Sequence, residues 1–361
     1  MSTSAGVAVA AALVGLVALL ALFVAVERAH RERRTSRREA DAERLRPVVL
    51  GALGNRDPAV APADRRGPTA RVLEELAVGV LERTRGADRE GVVAVLGSTG
   101  ALGRARDGLD SARAARRRHS VELLGVAGDR SARRLVVARL ADRDADVRAA
   151  AARALGRIGG PGAVAPLMEA LGDRRVSATT VSMALLRLGP AAAPEVRSHL
   201  LDGHDPAVRV VAADVLGVLG DRPSRPALEE AVGDTAVRVS AVRALGRLGD
   251  PRSVPVLLDR LEDQLEAPLV LFDRQLTLTL VEALGLVGDR RAVGTLSRCF
   301  GRTQRLSQAA SAALAPMGPR RSLRSMRERE EQERRSRGVP VASLAGVVRP
   351  ATLPSPRSSR G

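Results

Sequence analysis

The sequence predicts an all-α protein: a right-handed α-solenoid of helix pairs preceded by one N-terminal transmembrane helix. Three observations predict it. A glycine-containing motif recurs at a nearly constant interval, the hydrophobic residues are mostly Ala, Leu and Val with 1% aromatic residues, and the N-terminus carries an uncharged apolar run. Small aliphatic residues favour closely packed helices over large sheets. A chain of 361 residues is long enough for many such pairs.

The N-terminal run covers residues 5–26, which are 22 consecutive residues without a charge. As a helix it would span about 33 Å, and a bilayer hydrocarbon core is roughly 30 Å thick. A cleaved signal peptide is the alternative, but it requires a basic start and a shorter apolar stretch, and the sequence has neither. We therefore expect residues 1–4 to form a short extracytoplasmic tail and residues 5–26 to cross the membrane.

A basic segment, residues 27–46, follows the apolar run and is predicted to be a juxtamembrane linker or helix. Its first part is a collar of arginines: Arg28, Arg31, Arg33, Arg34, Arg37 and Arg38. Positive charge marks the cytoplasmic side, so we expect the repeats in the cytoplasm and the collar against anionic lipid headgroups. The absence of lysine and the bias towards Ala, Arg, Gly and Val are typical of a GC-rich bacterial genome, which places the predicted protein at a bacterial inner membrane.

The recurring motif has the form LGxxG. The last glycines of its clear and looser copies are Gly100, Gly128, Gly159, Gly189, Gly220, Gly249, Gly288 and Gly318. Successive copies are 28, 31, 30, 31, 29, 39 and 30 residues apart. A fixed period of this length indicates stacked repeats, each of which is one supersecondary unit.

Two glycines three residues apart end each clear copy. The outer glycines are Gly159, Gly220, Gly249 and Gly288, and the inner ones are Gly156, Gly217, Gly246 and Gly285. A glycine inside a helix costs roughly 1 kcal/mol relative to alanine. We expect the outer glycine to cap the helix and the inner glycine to let a neighbouring helix approach closely.

A start signal, DxxVR, precedes three of these helices. Its residues are Asp144 with Arg148, Asp205 with Arg209, and Asp234 with Arg238. Aspartate is a favourable N-cap, so we expect each Asp to begin a helix and each Arg to pair with an Asp of its own or the adjacent repeat. After the outer glycine comes a turn, often with proline, and then a shorter helix. One repeat is thus about 30 residues and two antiparallel helices.

The signature DxxVRxxAxxALGxLGD resembles the short HEAT repeats of phycobilisome-lyase-type proteins. The resemblance covers roughly residues 88–318 and is clearest over 142–298. It implies an α-solenoid, but it does not fix an activity, because relatives include chromophore lyases, an iron-dependent deoxyhypusine hydroxylase and interaction platforms. The His-Glu pairs that hold iron in the hydroxylase are absent, so the resemblance does not extend to that activity.

The remaining segments complete the predicted organisation. Residues 47–87 are predicted to form a degenerate capping repeat, 88–318 the repeat array, 319–337 a charged helix and 338–361 a disordered tail. An insert near 262–275 accounts for the 39-residue interval, and it is either a longer turn or a contact site.

Catalytic signals are weak. Glycines 97, 100 and 103 in residues 92–105 resemble a dinucleotide-binding loop, but they coincide with the repeat period. His199, Asp202, His204 and Asp205 could contact a metal, but they straddle a helix end and a turn, and solvent-facing turn residues are the better interpretation. Cys299 lies beside an arginine that could lower its pKa, but a buried packing cysteine is the simpler interpretation.

The helices that carry VR are expected to line the concave side of the solenoid. There Arg157, Arg187, Arg243 and Arg247 are the predicted partner-binding residues. We therefore expect a non-enzymatic, membrane-tethered scaffold that binds a protein partner and needs no cofactor or metal. One alternative is a lyase-like or hydroxylase-like enzyme or its regulatory subunit. Another is nucleic-acid binding, which the balance of 39 arginines against 32 acidic residues in 47–318 and the lack of Trp and Tyr make less favourable.

Overall fold

Helices make up the regular structure throughout the part of the chain described by a computed structural model. That part comprises residues 39–53, 67–84, 87–160, 162–268 and 272–317, with residues 19, 20, 22, 23, 25, 27, 28, 33 and 35–37. The chain divides into two compact units, Met1–Glu195 (unit 1) and Val196–Gly361 (unit 2). No strand occurs among these residues, so the all-α prediction is confirmed for them.

Unit 1 contains α1 to α10 in addition to the described helical residues before 39, and α10 extends past Glu195. They are α1 (39–51), α2 (Pro68–Leu81), α3 (Ala87–Ser98), α4 (Ala101–Gly108), α5 (Ala114–Ala127), α6 (Arg133–Ala138), α7 (Ala145–Ile158), α8 (Val164–Gly172), α9 (Ala178–Leu188) and α10 (Ala193–Asp202). The longer helices α5, α7 and α9 stack side by side, and the short helices α6 and α8 pack against them.

Unit 2 repeats this arrangement. Its helices are α11 (Pro206–Leu219), α12 (Arg225–Ala231), α13 (Arg238–Leu248), α14 (Val254–Glu266), α15 (Arg274–Val287), α16 (Val293–Ser297) and α17 (Gln304–Leu314). The helices α11, α13, α15 and α17 stack in order, while α12, α14 and α16 each pack on the long helix that follows. Each unit is therefore a short solenoid of helix pairs with a 3-10 turn before most of the short helices.

The inner glycines lie where two long helices touch. A Cβ at Gly246 would stand 2.7 Å from Cα of Ala283, closer than side chains can approach a backbone. The same contact joins Gly156 to Ala184, and this confirms the predicted role of the inner glycine. The other pairs are Gly217 with Ala244, Gly285 with Ala313 and, unpredicted, Gly125 with Ala154.

The helix ends follow the predicted signals with one exception. Asp144 Oδ1 accepts hydrogen bonds from the amides of residues 146 and 147, and Asp205 Oδ1 from that of residue 207. Asp234 Oδ1 accepts a hydrogen bond from the amide of residue 236 in the same way, but residues 234–237 form a hydrogen-bonded turn and α13 begins only at Arg238. The predicted start at Asp234 is therefore wrong by one turn.

The outer glycines end the long helices with positive φ. Gly249 is left-handed (φ 62°, ψ 25°), as Gly220 and Gly288 are, whereas Gly159 combines φ 69° with ψ −169°. A side chain is strained in this region, so the cap requires glycine. The 39-residue interval arises partly because α14 runs on to Glu266, so much of the predicted insert is helical.

The segment predicted to cross the membrane lies mostly outside the described residues, as do residues 318–361. No helix among the described residues is both long and apolar enough to span a bilayer. The described positions of the apolar run are helical, and four of its large side chains are exposed: Leu19, Leu20, Leu22 and Phe23.

Candidate protein-binding surface

The exposed side of the long helices carries two rows of side chains. The first row lies three residues before the inner-glycine position, and the second row lies one residue after it. The two positions on each helix are therefore four residues apart and share a helix face. We call them the long-helix rows. In unit 1 they contain Glu122, Arg153, Arg157, Met183 and Arg187, and in unit 2 Asp214, Val218, Arg243, Arg247, Glu282 and Leu286. On α9 the inner-glycine position is held by Leu186.

Two of the four predicted partner-binding arginines already have a carboxylate partner. Arg157 Nη2 lies 3.4 Å from Glu82 Oε1. Arg243 Nη1 lies 3.1 Å from Asp214 Oδ1, which belongs to the preceding long helix. These pairs partly neutralise both guanidinium groups, so neither is fully available to a partner.

The other two predicted arginines are exposed. No carboxylate among the described residues lies within 4.0 Å of Arg187 or Arg247. Each stands in the last turn of its helix, where a cation also stabilises the helix dipole by a few tenths of a kcal/mol. Exposed apolar side chains accompany them, since Met183 is 61% exposed, Val218 52% and Leu286 64%.

The arginines of the start signal hold adjacent repeats together. Arg209 pairs with Asp234 of the next repeat, as predicted, and its Nε donates to the carbonyl of Leu200. Arg148 does not pair with an aspartate carboxylate. Its Nε donates to the carbonyl of Arg175 (2.8 Å) and its Nη1 to that of Asp142 (2.9 Å), so it joins two turns through their backbone. Arg238 Nε is buried without a hydrogen-bond partner.

Sequence reasoning missed a fourth member of this set. Arg117 stands eight residues before Gly125, the same distance that separates Arg148 from Gly156. It is 4% exposed, and it forms a two-pronged pair with Asp142 at 2.7 and 2.8 Å. The hydrogen bond from Arg117 lowers the pKa of Asp142 below its ordinary value. The spacing to the inner glycine could have identified Arg117, although no Asp-x-x-Val precedes it.

A second polar cluster joins α2, α4 and α5. Glu74 is buried, and its carboxylate lies 2.8 Å from Arg104 Nη2 and 3.7 Å from His119 Nε2. Burial alone would raise the pKa of Glu74, but contacts with His119 and Arg104 outweigh it and lower the pKa. The Glu74 contact in turn raises the pKa of His119.

The residues that gave weak catalytic signals have structural roles instead. Residues 92–105 belong to α3 and α4, not to a strand and loop, so they lack the dinucleotide-binding arrangement. Burial raises the pKa of Cys299 to about 11 despite the nearby arginines. Asp205 serves as an N-cap, and the described residues contain no group of three or more His, Cys, Asp or Glu placed to hold a metal.

Comparison with known proteins finds a family match over two segments of the chain. The family model for HEAT repeats matches residues 104–185 and 193–270, so these two segments are HEAT repeats. The resemblance noted from the sequence is confirmed to that extent. None of the curated proteins compared with the chain matches it.

Solved structures with a similar course of the chain include three natural proteins. Human deoxyhypusine hydroxylase is 20% identical, with 70% of this chain and 99% of that chain covered and a TM-score of 0.30. Escherichia coli YibA is 20% identical, with 69% and 94% covered and a TM-score of 0.38. The CpcE–CpcF complex of phycocyanin lyase from Nostoc is 18% identical, with 76% and 100% covered and a TM-score of 0.27.

Proposed function

We propose that this protein is a non-enzymatic scaffold that binds a protein partner through its long-helix rows at the cytoplasmic face of a bacterial membrane. The observation that carries the proposal is made in each unit separately: an exposed arginine lies beside exposed apolar side chains, Arg187 near Met183 in unit 1 and Arg247 near Val218 and Leu286 in unit 2. Arginine and methionine are enriched at protein interfaces, and interface hot spots combine such groups. HEAT repeats in general offer extended surfaces of this kind to proteins.

Arg187 and Arg247 favour a partner with acidic side chains. A guanidinium group without a carboxylate nearby gains more from an incoming carboxylate than one that must first give up its own. Arg157 and Arg243 are therefore secondary contacts in this proposal, because Glu82 and Asp214 compete for them. Arg187 and Arg247 are the residues whose reversal should matter most.

The membrane part of the proposal rests on the apolar run 5–26 and the Arg28–Arg38 collar, which would contact anionic headgroups. The exposed Leu22 and Phe23 in its helical part are consistent with lipid contact. The full chain should stay with the membranes when they are washed at alkaline pH. Deleting residues 5–26 should release the protein from them. Continued retention of the deleted form would contradict a single-helix anchor.

Crosslinking in native membranes tests the scaffold, with the crosslinked partner identified by mass spectrometry. The test variant is Arg187→Glu with Arg247→Glu, and the matched control is Arg134→Glu with Arg222→Glu. The control arginines are exposed, lie on or just before short helices, and change the net charge by the same amount. We expect the test variant to lose the partner and the control to keep it. Equal capture by both would contradict the proposal.

A further inference from the structure

Three exposed side chains form a line across unit 2. Val218, Arg247 and Leu286 each directly follow the inner glycine of their helices, α11, α13 and α15. Those helices are neighbours, because Gly217 contacts Ala244 and Gly246 contacts Ala283. Packed helices lie about 8–10 Å apart, so the three side chains follow one another at steps of about 9 Å.

The line has a central positive charge and apolar ends. Arg247 has no carboxylate within 4.0 Å in the described part of the chain, and Val218 and Leu286 are 52% and 64% exposed. The adjoining row is different: it contains the Asp214–Arg243 pair and the exposed Glu282. Glu282 therefore places negative charge near the Leu286 end, whereas Arg243 largely neutralises Asp214 near the Val218 end.

We propose that this line binds an extended segment of the partner protein that presents an aliphatic, an acidic and an aliphatic side chain, each three residues after the last. The inference rests on the proposed function and adds the sequence pattern of the ligand. A polyproline II segment rises 3.1 Å per residue with three residues per turn, so every third side chain points the same way at about 9 Å steps. This repeat matches the helix spacing.

Each part of the pattern has a counterpart on the protein. The acidic side chain would meet Arg247, and the aliphatic side chains would cover Val218 and Leu286, whose exposed surface gains from leaving water. Glu282 would repel an additional acidic residue at the Leu286 end. Repulsion of this kind gives specificity as well as affinity, so a uniformly acidic segment should bind worse than the mixed one.

Fluorescence anisotropy with synthetic peptides and the purified full chain tests the pattern. The probe is a labelled nine-residue peptide with leucine, glutamate and leucine three residues apart in a glycine–serine background. Companion peptides of the same length carry lysine at the centre, glutamate at both ends, or the same three residues spaced two or four apart. We expect the probe to bind about fivefold more tightly than the lysine peptide, as a partly exposed ion pair allows, and more tightly than the other peptides.

Charge reversal makes the test specific to Arg247. In the Arg247→Glu variant the preference should change to the lysine peptide, and the Arg222→Glu control should behave like the unchanged protein. Leu286→Asp should weaken the probe without altering the order of the glutamate and lysine peptides.

Two results would overturn the inference. One is an unchanged glutamate-over-lysine preference in Arg247→Glu, and the other is a failure of every peptide in the series to bind. Neither result depends on the crosslinking experiment in membranes. If the partner is captured in that experiment through Arg187 alone, the proposed scaffold function is supported, but the ligand pattern proposed for unit 2 is excluded.

Discussion

In unit 1 the long helices touch where Gly156 meets Ala184, and in unit 2 they touch where Gly246 meets Ala283. The surfaces above these contacts differ. Residues 88–195 contain 18 arginines against 12 acidic residues, whereas residues 196–317 contain 15 of each. The long-helix rows of unit 1 are accordingly basic, and those of unit 2 mix both charges with exposed Val218 and Leu286.

This difference shows that the side chains of the exposed rows can vary while the glycine–alanine packing contact between the long helices stays the same. The inner glycine faces the next helix, while the residue directly after it and the residue three before it face away. Substitutions in the rows can therefore change the ligand without disturbing the stack. The predictions below test the shared contact first and then the features that separate the units.

The largest expected effect is the loss of the shared contact. Gly156→Val and Gly246→Val would each force a side chain into the backbone of the next helix, and we expect about 3 kcal/mol of destabilisation in either unit. Hydrogen exchange followed by mass spectrometry would locate the loss in unit 1 or unit 2. Because stacked repeats need not unfold in one step, a method that resolves regions is required.

The matched controls are glycines without a near neighbour. A Cβ at Gly79 or at Gly294 would meet nothing within 4 Å. Gly79→Ala and Gly294→Ala should therefore stabilise their helices by up to about 1 kcal/mol. Equal protection of the valine variants and the unchanged protein would show that the glycine contact is unimportant.

The next effect separates the units by the burial of an ion pair. Arg117→Met should lower the melting temperature of unit 1 more than Arg209→Met lowers that of unit 2, because Arg117 and Asp142 are almost fully buried. Arg209 and Asp234 are each about a quarter exposed. Removing Arg117 leaves the buried carboxylate of Asp142 without its ion-pair partner. Adding Asp142→Asn to Arg117→Met should therefore recover part of the lost melting temperature. No recovery in the double variant would mean that Arg117 stabilises unit 1 chiefly through the carbonyls of Ser111 and Ala112.

The sequence was sufficient for the repeat, the caps and the glycine contact because these depend on residues within one period. Gly246 and Gly249 could be assigned from their spacing alone. The state of the arginines could not, since Arg157 pairs with Glu82, 75 residues earlier in the chain, and Arg243 with Asp214, 29 residues earlier. Distances across repeats decide which guanidinium is free, and a linear pattern does not contain them.

A smaller effect depends on pH and is confined to unit 1. The Glu74 contact raises the pKa of His119, so its contribution to stability is complete below the ordinary histidine pKa of about 6.5 and is lost as the pH rises through the raised value. The lowered pKa of Glu74 keeps its carboxylate charged down to more acidic pH. Exchange protection of α2 should therefore fall between pH 6 and pH 8 relative to unit 2.

His119→Gln is the control for this dependence. Glutamine does not titrate, so the variant should show the lower protection at both pH values. Arg104 acts on Glu74, and Glu75 and Glu122 act on His119, through their charges. The same pH dependence in the variant would show that another group is responsible.

The smallest expected effect concerns the exposed apolar side chains of unit 2. Val218→Ser and Leu286→Ser should each change the free energy of unfolding by less than about 0.5 kcal/mol, because the Val218 and Leu286 side chains are exposed and contribute little to the hydrophobic core. Leu284→Ser, two residues before Leu286 but fully buried, should cost several kcal/mol. Denaturant unfolding of the three variants measures the contrast. A loss at Leu286 as large as that at Leu284 would place both side chains in the packing of the stack, and Leu286 would then be unavailable to any partner. A small loss would leave its exposed surface free for the aliphatic contact that distinguishes unit 2 from the basic rows of unit 1.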